Sequence, residues 1–281
     1  MTKQMIVTAL AALLYDSQAE CEGLRGEIAK LQAQDIPVIV YTDRDRAEVE
    51  PIREQLGLTG PFITESGSAI FTPVSHNPFE PALGEKDGDY FVEMLGCPYV
   101  QSRAGLRVIA NVISHPLKGF GDFTVEQLKR SAKISEEEAH RAKAREFSEP
   151  FMTPKAVDVE TLRQAAEEMG FGLIWRSPEV GRFSELIGAG AGIVPAVQTL
   201  VSAYQTQLRA EEVLKIVGIS AHSDDLRTLD KVYPKDNQSV SWACLLMSPG
   251  EAKPINQLSS DHPGSWLSVA TPLFSCENHL A

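Results

Sequence analysis

No two of the four cysteines (Cys21, Cys97, Cys244, Cys276) form a CxxC pair or stand at a metal-ligand spacing. Zinc modules and dithiol redox chemistry are therefore not expected, and reduced thiols in a cytoplasmic protein are. No basic patch stands out: the densest basic run, Arg141 to Arg145, has acids just upstream, and 26 Lys and Arg face 38 Asp and Glu, for a formal net charge of -12. Such a surface repels a phosphate backbone, so nucleic acid is not an expected partner. No apolar run approaches the roughly 20 residues of a membrane span. The run Met5 to Tyr15 is preceded only by Lys3 and followed by no small-residue cleavage pattern. It reads as a buried strand rather than a signal segment, and no membrane partner is expected.

A further absence is local. The strand that begins at Met5 ends in Ala9, Leu10, Ala11, Ala12 and Leu13. These side chains can neither donate, accept nor coordinate, yet the end of the first strand is where many α/β enzymes carry acidic groups.

What is present is an ordinary folded composition, 43% hydrophobic and 23% charged over 281 residues, enough to bury a substantial core. Cys21 to Gln34 sets Leu24, Ile28 and Leu31 on one helical face. Ile36 to Thr42 is a continuous β-branched run of the kind buried on both faces of a sheet. A second helix follows in "RAEVEPIREQLGL", then two short strands around Gly67. This rhythm predicts an α/β class, a Rossmann-like parallel sheet with right-handed crossovers.

Texture changes near Pro81, and residues 85–180 read as an inserted α+β unit between core segments 1–84 and 181–281. Within it, Thr124 to Gln127 and Ser135 to Glu138 fit capping boxes. Glu137 precedes Arg141 by one helical turn, and Asp158 opens a helix that closes at Gly170. The core rhythm returns with a helix from Ile193, a strand ending at Ser220, a helix in "DDLRTLDK" and a strand starting at "VY". From Asn237 onward, irregular structure or a short helix is expected.

Three stretches carry a family resemblance: "VIVYTDRDRAEVEPIREQLGLTGPFITESGSAIF", "REFSEPF" (Arg145 to Phe151) and "GFGDFT" (Gly119 to Thr124), with "GRF" (Gly181 to Phe183) beside them. They make the chain resemble the mannosyl-3-phosphoglycerate phosphatases of the haloacid dehalogenase (HAD) superfamily, over nearly all its length to about Tyr233. The resemblance implies a HAD core with the inserted unit as a cap. It also implies an aspartate nucleophile, a second aspartate as acid, a hydroxyl and a lysine for the phosphoryl group, and an acidic pair for Mg²⁺. Attack of a carboxylate on a phosphate dianion sets charge against charge, so metal and lysine must neutralise the site.

Laid on the family pattern, the nucleophile falls on Ala9, the acid on Ala11, the lysine on Ile193 and the last acids on Ile219 and Ser223, with His222 at an asparagine position. Of the six positions that carry chemistry, only Thr42 keeps its hydroxyl. Each lost group is worth several kcal/mol in the transition state, and about 1.4 kcal/mol is tenfold in rate. The expectation is a pseudoenzyme without the family's Mg²⁺ site or any other cofactor. It would bind a phosphorylated or carboxylated sugar, or a protein partner, as a regulator. The candidate contacts are Thr42, Asp43, Arg44 and His222 in the core, and Arg145, Glu146, Ser148, Glu149 and Arg182 at the cap. Two alternatives stay open: recruitment of the fold to other chemistry through Thr42, Asp43, Arg44, His222 and Asp225, or a weak Mg²⁺-dependent phosphatase with displaced acids such as Asp43, Asp224 and Asp225.

Overall fold

The computed structural model describes residues 2–178, 182–209, 211–220, 240–248 and 251–254. Strand β1 (Thr2–Ala9) runs through the core with Met5, Ile6 and Val7 buried, and passes straight into helix α1 (Leu10–Ala33). The helix therefore starts earlier than the sequence suggests, at Leu10 rather than near Asp16 or Cys21. Ala and Leu are strong helix formers, and burial of Leu10, Ala12 and Leu13 replaces the side-chain cap that Ala9 cannot supply. Leu24, Ile28 and Leu31 are buried on one face, as the periodicity predicts.

Strand β2 (Val38–Tyr41) is buried at every position. Helix α2 (Arg46–Leu56) is capped by Asp45, whose carboxylate accepts the Glu48 N–H at 3.0 Å, and it closes on Gly57 in the left-handed conformation. Strands β3 (Phe62–Thr64) and β4 (Ala69–Pro73) form the expected pair around Gly67. Phe62 and Phe71 stack at 5.3 Å, and Tyr90 edges onto both rings.

Strand β6 (Tyr90–Met94) continues this sheet antiparallel to β4, and β5 (Glu85–Asp87) pairs antiparallel to β6. Helices α3 (Tyr99–Val112), α4 (Val125–Ala132) and α5 (Glu136–Arg141) follow, and both expected capping boxes are formed. Strands β7 (Glu149–Met152), β8 (Phe171–Ile174) and β9 (Phe183–Gly188) make a second sheet in the order β7-β9-β8, with helix α6 (Val159–Glu168) capped by Asp158. Its own apolar cluster includes Leu106, Ile109, Phe151, Leu162 and Leu186.

Helix α7 (Ile193–Thr206) leads to β10 (Val213–Ser220), β11 (Val240–Ser248) and β12 (Glu251–Pro254). The large sheet reads β12-β11-β10-β1-β2-β3-β4-β6-β5, with β10, β1, β2 and β3 parallel. β6 bonds to β4 and β5 to β6, so residues 85–94 extend the large sheet, while β9 bonds to β7 and β8 in the second. One expectation is corrected by this pairing. The stretch after Asn237 contains strands, since the apolar run "VSWACLLMS" pairs parallel to β10. The expected helix in "DDLRTLDK" lies outside the described residues. No described helix is long and apolar enough to cross a membrane.

Candidate functional site

Parallel strands β10, β1, β2 and β3 end on one edge of the large sheet, the edge at which open α/β sheets place their ligands. Register sets Thr8 beside Ile219 and Ala9 beside Tyr41. Ala9 is 4% exposed and Ile219 0%, and both belong to the main apolar cluster. Ala11 is exposed, and Ile193 packs on the same cluster from the first turn of α7. His222, Ser223, Asp224 and Asp225 lie outside the described residues.

Polar groups gather instead over β2 and β3. Residues 65–67 form a single turn of 3-10 helix in which Glu65 and Ser66 hold φ of 49° and 56°, a left-handed conformation that non-glycine residues rarely adopt. Gly67 follows at φ 88°, packed so closely on Gly192 that a Cβ would fall 2.1 Å from its carbonyl carbon. This turn points the buried Glu65 carboxylate at the segment Glu146–Ser148. It accepts the N–H groups of Glu146, Phe147 and Ser148 at 2.9, 3.1 and 2.8 Å, and the Ser148 hydroxyl at 2.6 Å. Ser66 donates across to Glu185 on β9 at 2.5 Å.

Arg145 closes the arrangement. Its side chain is 7% exposed and donates to the Asp43 carbonyl at 2.6 Å, Glu185 at 3.1 Å and the Ser148 hydroxyl at 3.3 Å. Burial alone would lower its pKa. Glu185, Glu65, Asp45 and Glu48 together outweigh that and hold it above the ordinary arginine range. The carboxyls show the opposite pull: burial raises Glu185 and Glu48, only partly offset by Arg145. Asp45, fully buried and 3.9 Å from Arg145, is pushed up to about 7, chiefly by burial.

A cleft of about 250 Å³ opens beside this cluster, lined by Asp43, Arg145, Arg176, Arg182, Phe120 and Phe183 among others. Arg176 pairs with Asp43 at 2.8 Å, and Arg182 donates to the Ser131 carbonyl at 2.9 Å. Thus Asp43, Arg145 and Arg182 of the expected contacts meet in one place. The other expected contacts among the described residues do not line the cleft. The Thr42 oxygen accepts the Arg44 N–H at 3.1 Å, and Arg44 reaches Glu48 at 3.8 Å. Glu146 forms a two-point pair with Arg46 at 2.9 and 3.3 Å. Ser148 is fully buried between two carboxylates, and Glu149, also buried, accepts the Gly121 N–H at 3.0 Å. Sequence reasoning missed Asp45, Glu65, Ser66, Arg176 and Glu185. Glu185 carried a signal, a lone acid inside the apolar strand "FSELIG".

A glucosyl-3-phosphoglycerate/mannosyl-3-phosphoglycerate phosphatase of Persephonella marina is 31% identical to this chain over 205 residues, 73% of each protein. The chain belongs to the mannosyl-3-phosphoglycerate phosphatase family. A relative of the same description in Methanococcoides burtonii is 32% identical over 150 residues, 53% of this chain and 55% of that one. The mannosyl-3-phosphoglycerate phosphatase of Pyrococcus furiosus is 34% identical over 122 residues, covering 43% of this chain and 49% of that one. No family model matches the chain. Among solved structures, a phosphatase of the HAD superfamily from Bacteroides thetaiotaomicron superposes with a TM-score of 0.53 at 12% identity, over 82% of this chain and 81% of its own. A Thermotoga maritima protein gives 0.52 at 13% identity, over 87% and 92%. At such identity these two speak for the fold alone. The family membership accords with the α/β sheet and its HAD arrangement.

Proposed function

We propose that this member of the phosphatase family binds a small organic anion, a phosphorylated or carboxylated sugar or glycerate, and does not hydrolyse it. The observation that carries the proposal is the pairing of β1 with β10: at the edge where the family mechanism needs carboxylates, Ala9 and Ile219 sit buried in the apolar core. Phosphoryl transfer without a nucleophile and neutralising charge loses several kcal/mol for each missing group. Ile193 at the start of α7 has no charge with which to hold a phosphoryl oxygen.

The described donors do not suit the Mg²⁺ that the family implies. Ala9 and Ile219 present no side-chain oxygen there, and the Thr8 hydroxyl is directed to the Ala9 carbonyl at 3.3 Å. Among the described residues, no three His, Cys, Asp or Glu side chains are arranged to hold a metal ion. The proposed function uses none.

The cleft supports binding. It places three arginines against two carboxylates, Asp43 and Glu185, in a protein of net charge -12. A locally cationic hollow in an acidic surface selects anions, and the Phe120 and Phe183 rings offer an apolar wall to the carbon face of a sugar. In this reading the second sheet serves as the cap over the core. The relatives' names point to glycosyl 3-phosphoglycerates as ligands, and a regulatory role follows if binding occurs without turnover.

The test pairs two measurements on the purified chain. Mannosyl-3-phosphoglycerate should raise the melting temperature in the presence of EDTA, and no phosphate should be released with Mg²⁺ supplied. Mg²⁺-dependent phosphate release would overturn the reading in favour of a residual phosphatase, and an unchanged melting temperature would remove the binding role.

A further inference from the structure

The charged groups of the cleft are not equally committed. Arg145 is buried and tied to Glu185, Ser148 and the Asp43 carbonyl, and Glu185 is held by Arg145, Ser66 and Ser148. None of these can leave without stranding a buried charge. The Asp43–Arg176 pair differs. Its side chains are 52% and 45% exposed, and its 2.8 Å contact joins the loop after β2 to the segment after β8, across the cleft from core to second sheet. Exposed pairs of this kind contribute little to stability. The Arg176 backbone is anchored separately, its N–H donating to the Ser184 hydroxyl at 3.1 Å. The guanidinium is thus free to change partner while its Cα stays in place. Arg182, the third cleft arginine, is bound to a neutral carbonyl and among the described residues forms no ion pair.

We propose that the Asp43–Arg176 pair is an exchangeable bar across the cleft. The anionic end of the ligand, a carboxylate or phosphate on a small polyol, displaces the Asp43 carboxylate and is taken by Arg176 together with Arg182. The planar guanidinium fork suits either anion. Asp43 thereby acts as an internal competitor: it keeps the cleft closed to weak anions and lowers the affinity for the true ligand. The inference rests on the binding role proposed above and adds to it the residue that regulates entry.

The experiment is a calorimetric titration of the full chain with 3-phosphoglycerate, with glycerate, and with glycerol as the neutral control. Wild type is compared with Asp43→Asn, Arg176→Gln and the double variant. Exchange predicts that Asp43→Asn binds the anions three- to tenfold tighter, that Arg176→Gln binds them at least tenfold weaker, and that the double variant matches Arg176→Gln. It also predicts no response to glycerol. A gain that glycerate shares assigns the carboxylate to Arg176, and a gain confined to 3-phosphoglycerate assigns the phosphate. Unchanged or weaker binding by Asp43→Asn would overturn the exchange while leaving the binding role intact. So would a gain that persists in the double variant, because Asp43 would then act only as a distant charge. If no variant binds either anion, the exchange and the binding role fall together.

Discussion

Ser148 gives Glu65 two hydrogen bonds across 83 residues of sequence, one from its N–H at 2.8 Å and one from its hydroxyl at 2.6 Å. The same hydroxyl lies 2.7 Å from Glu185. One hydroxyl proton is therefore shared between two buried carboxyls, and Arg145, 3.1 Å from Glu185, supplies the charge that holds them together. This junction, with Arg145 over it, is what couples the large sheet to the small one.

Replacing Arg145 by Met removes the cation that faces Glu185, Glu65 and Asp45. Uncompensated buried carboxyls should cost about 3–5 kcal/mol of stability at neutral pH. Urea denaturation at pH 7 reads this directly, and a loss under about 1 kcal/mol would show that the cluster does not hold the sheets together.

Asp45 sets a pH dependence. Its pKa is raised from 3.8 to about 7 in the folded chain, where it faces Arg145, Glu48 and Glu65. Between those values the native state keeps a proton that the unfolded chain releases. Stability from this group is complete below the unfolded pKa and falls as pH rises toward 7, by up to about 1.4 kcal/mol per unit. Glu48 and Glu185 are raised too and act in the same direction. Asp45→Asn keeps a good helix cap and removes this titration. Urea midpoints should fall less steeply from pH 5 to pH 8 in the variant than in wild type; parallel curves would contradict the assignment.

Gly67→Ala should be far more costly than Gly88→Ala. Both glycines have positive φ, 88° and 56°, but only Gly67 would drive a Cβ into the Gly192 backbone, while Gly88 faces open space. Left-handed alanine plus the clash amounts to about 2–5 kcal/mol at Gly67, against about 1 kcal/mol at Gly88. Thermal melts of the two variants compare them, and equal losses would mean that the turn is not packed as described.

Ala9→Asp alone should not create a phosphatase. The new carboxylate would replace a methyl group that is 4% exposed in the apolar core and would cost several kcal/mol, with no hydrolysis of mannosyl-3-phosphoglycerate above background. Adding Ile193→Lys tests how much charge neutralisation recovers. Robust Mg²⁺-dependent turnover by Ala9→Asp alone would show that the remaining acids are already in place.

Local physics was written in the residues. The β-branched run of β2, the face of Leu24, Ile28 and Leu31, and the caps at Asp158, Thr124 and Ser135 each depend on neighbours a few positions away. Periodicity and hydrogen-bonding chemistry report such neighbours. The strand–helix alternation likewise fixed the α/β class, and the family motifs directed attention to Arg145 and Asp43. Folding in space settled everything that depends on distant partners. Arg145 meets Glu185 and Ser66 meets Glu185 only because β9 joins the second sheet. Glu65 reaches Ser148 only because two residues accept a left-handed backbone. Glu146 and Ser148 share a motif with Arg145, yet one faces Arg46 and the other two buried carboxyls. A motif fixes which groups are adjacent along the chain, whereas charge pairing and burial are set by what the packed sheets bring opposite them.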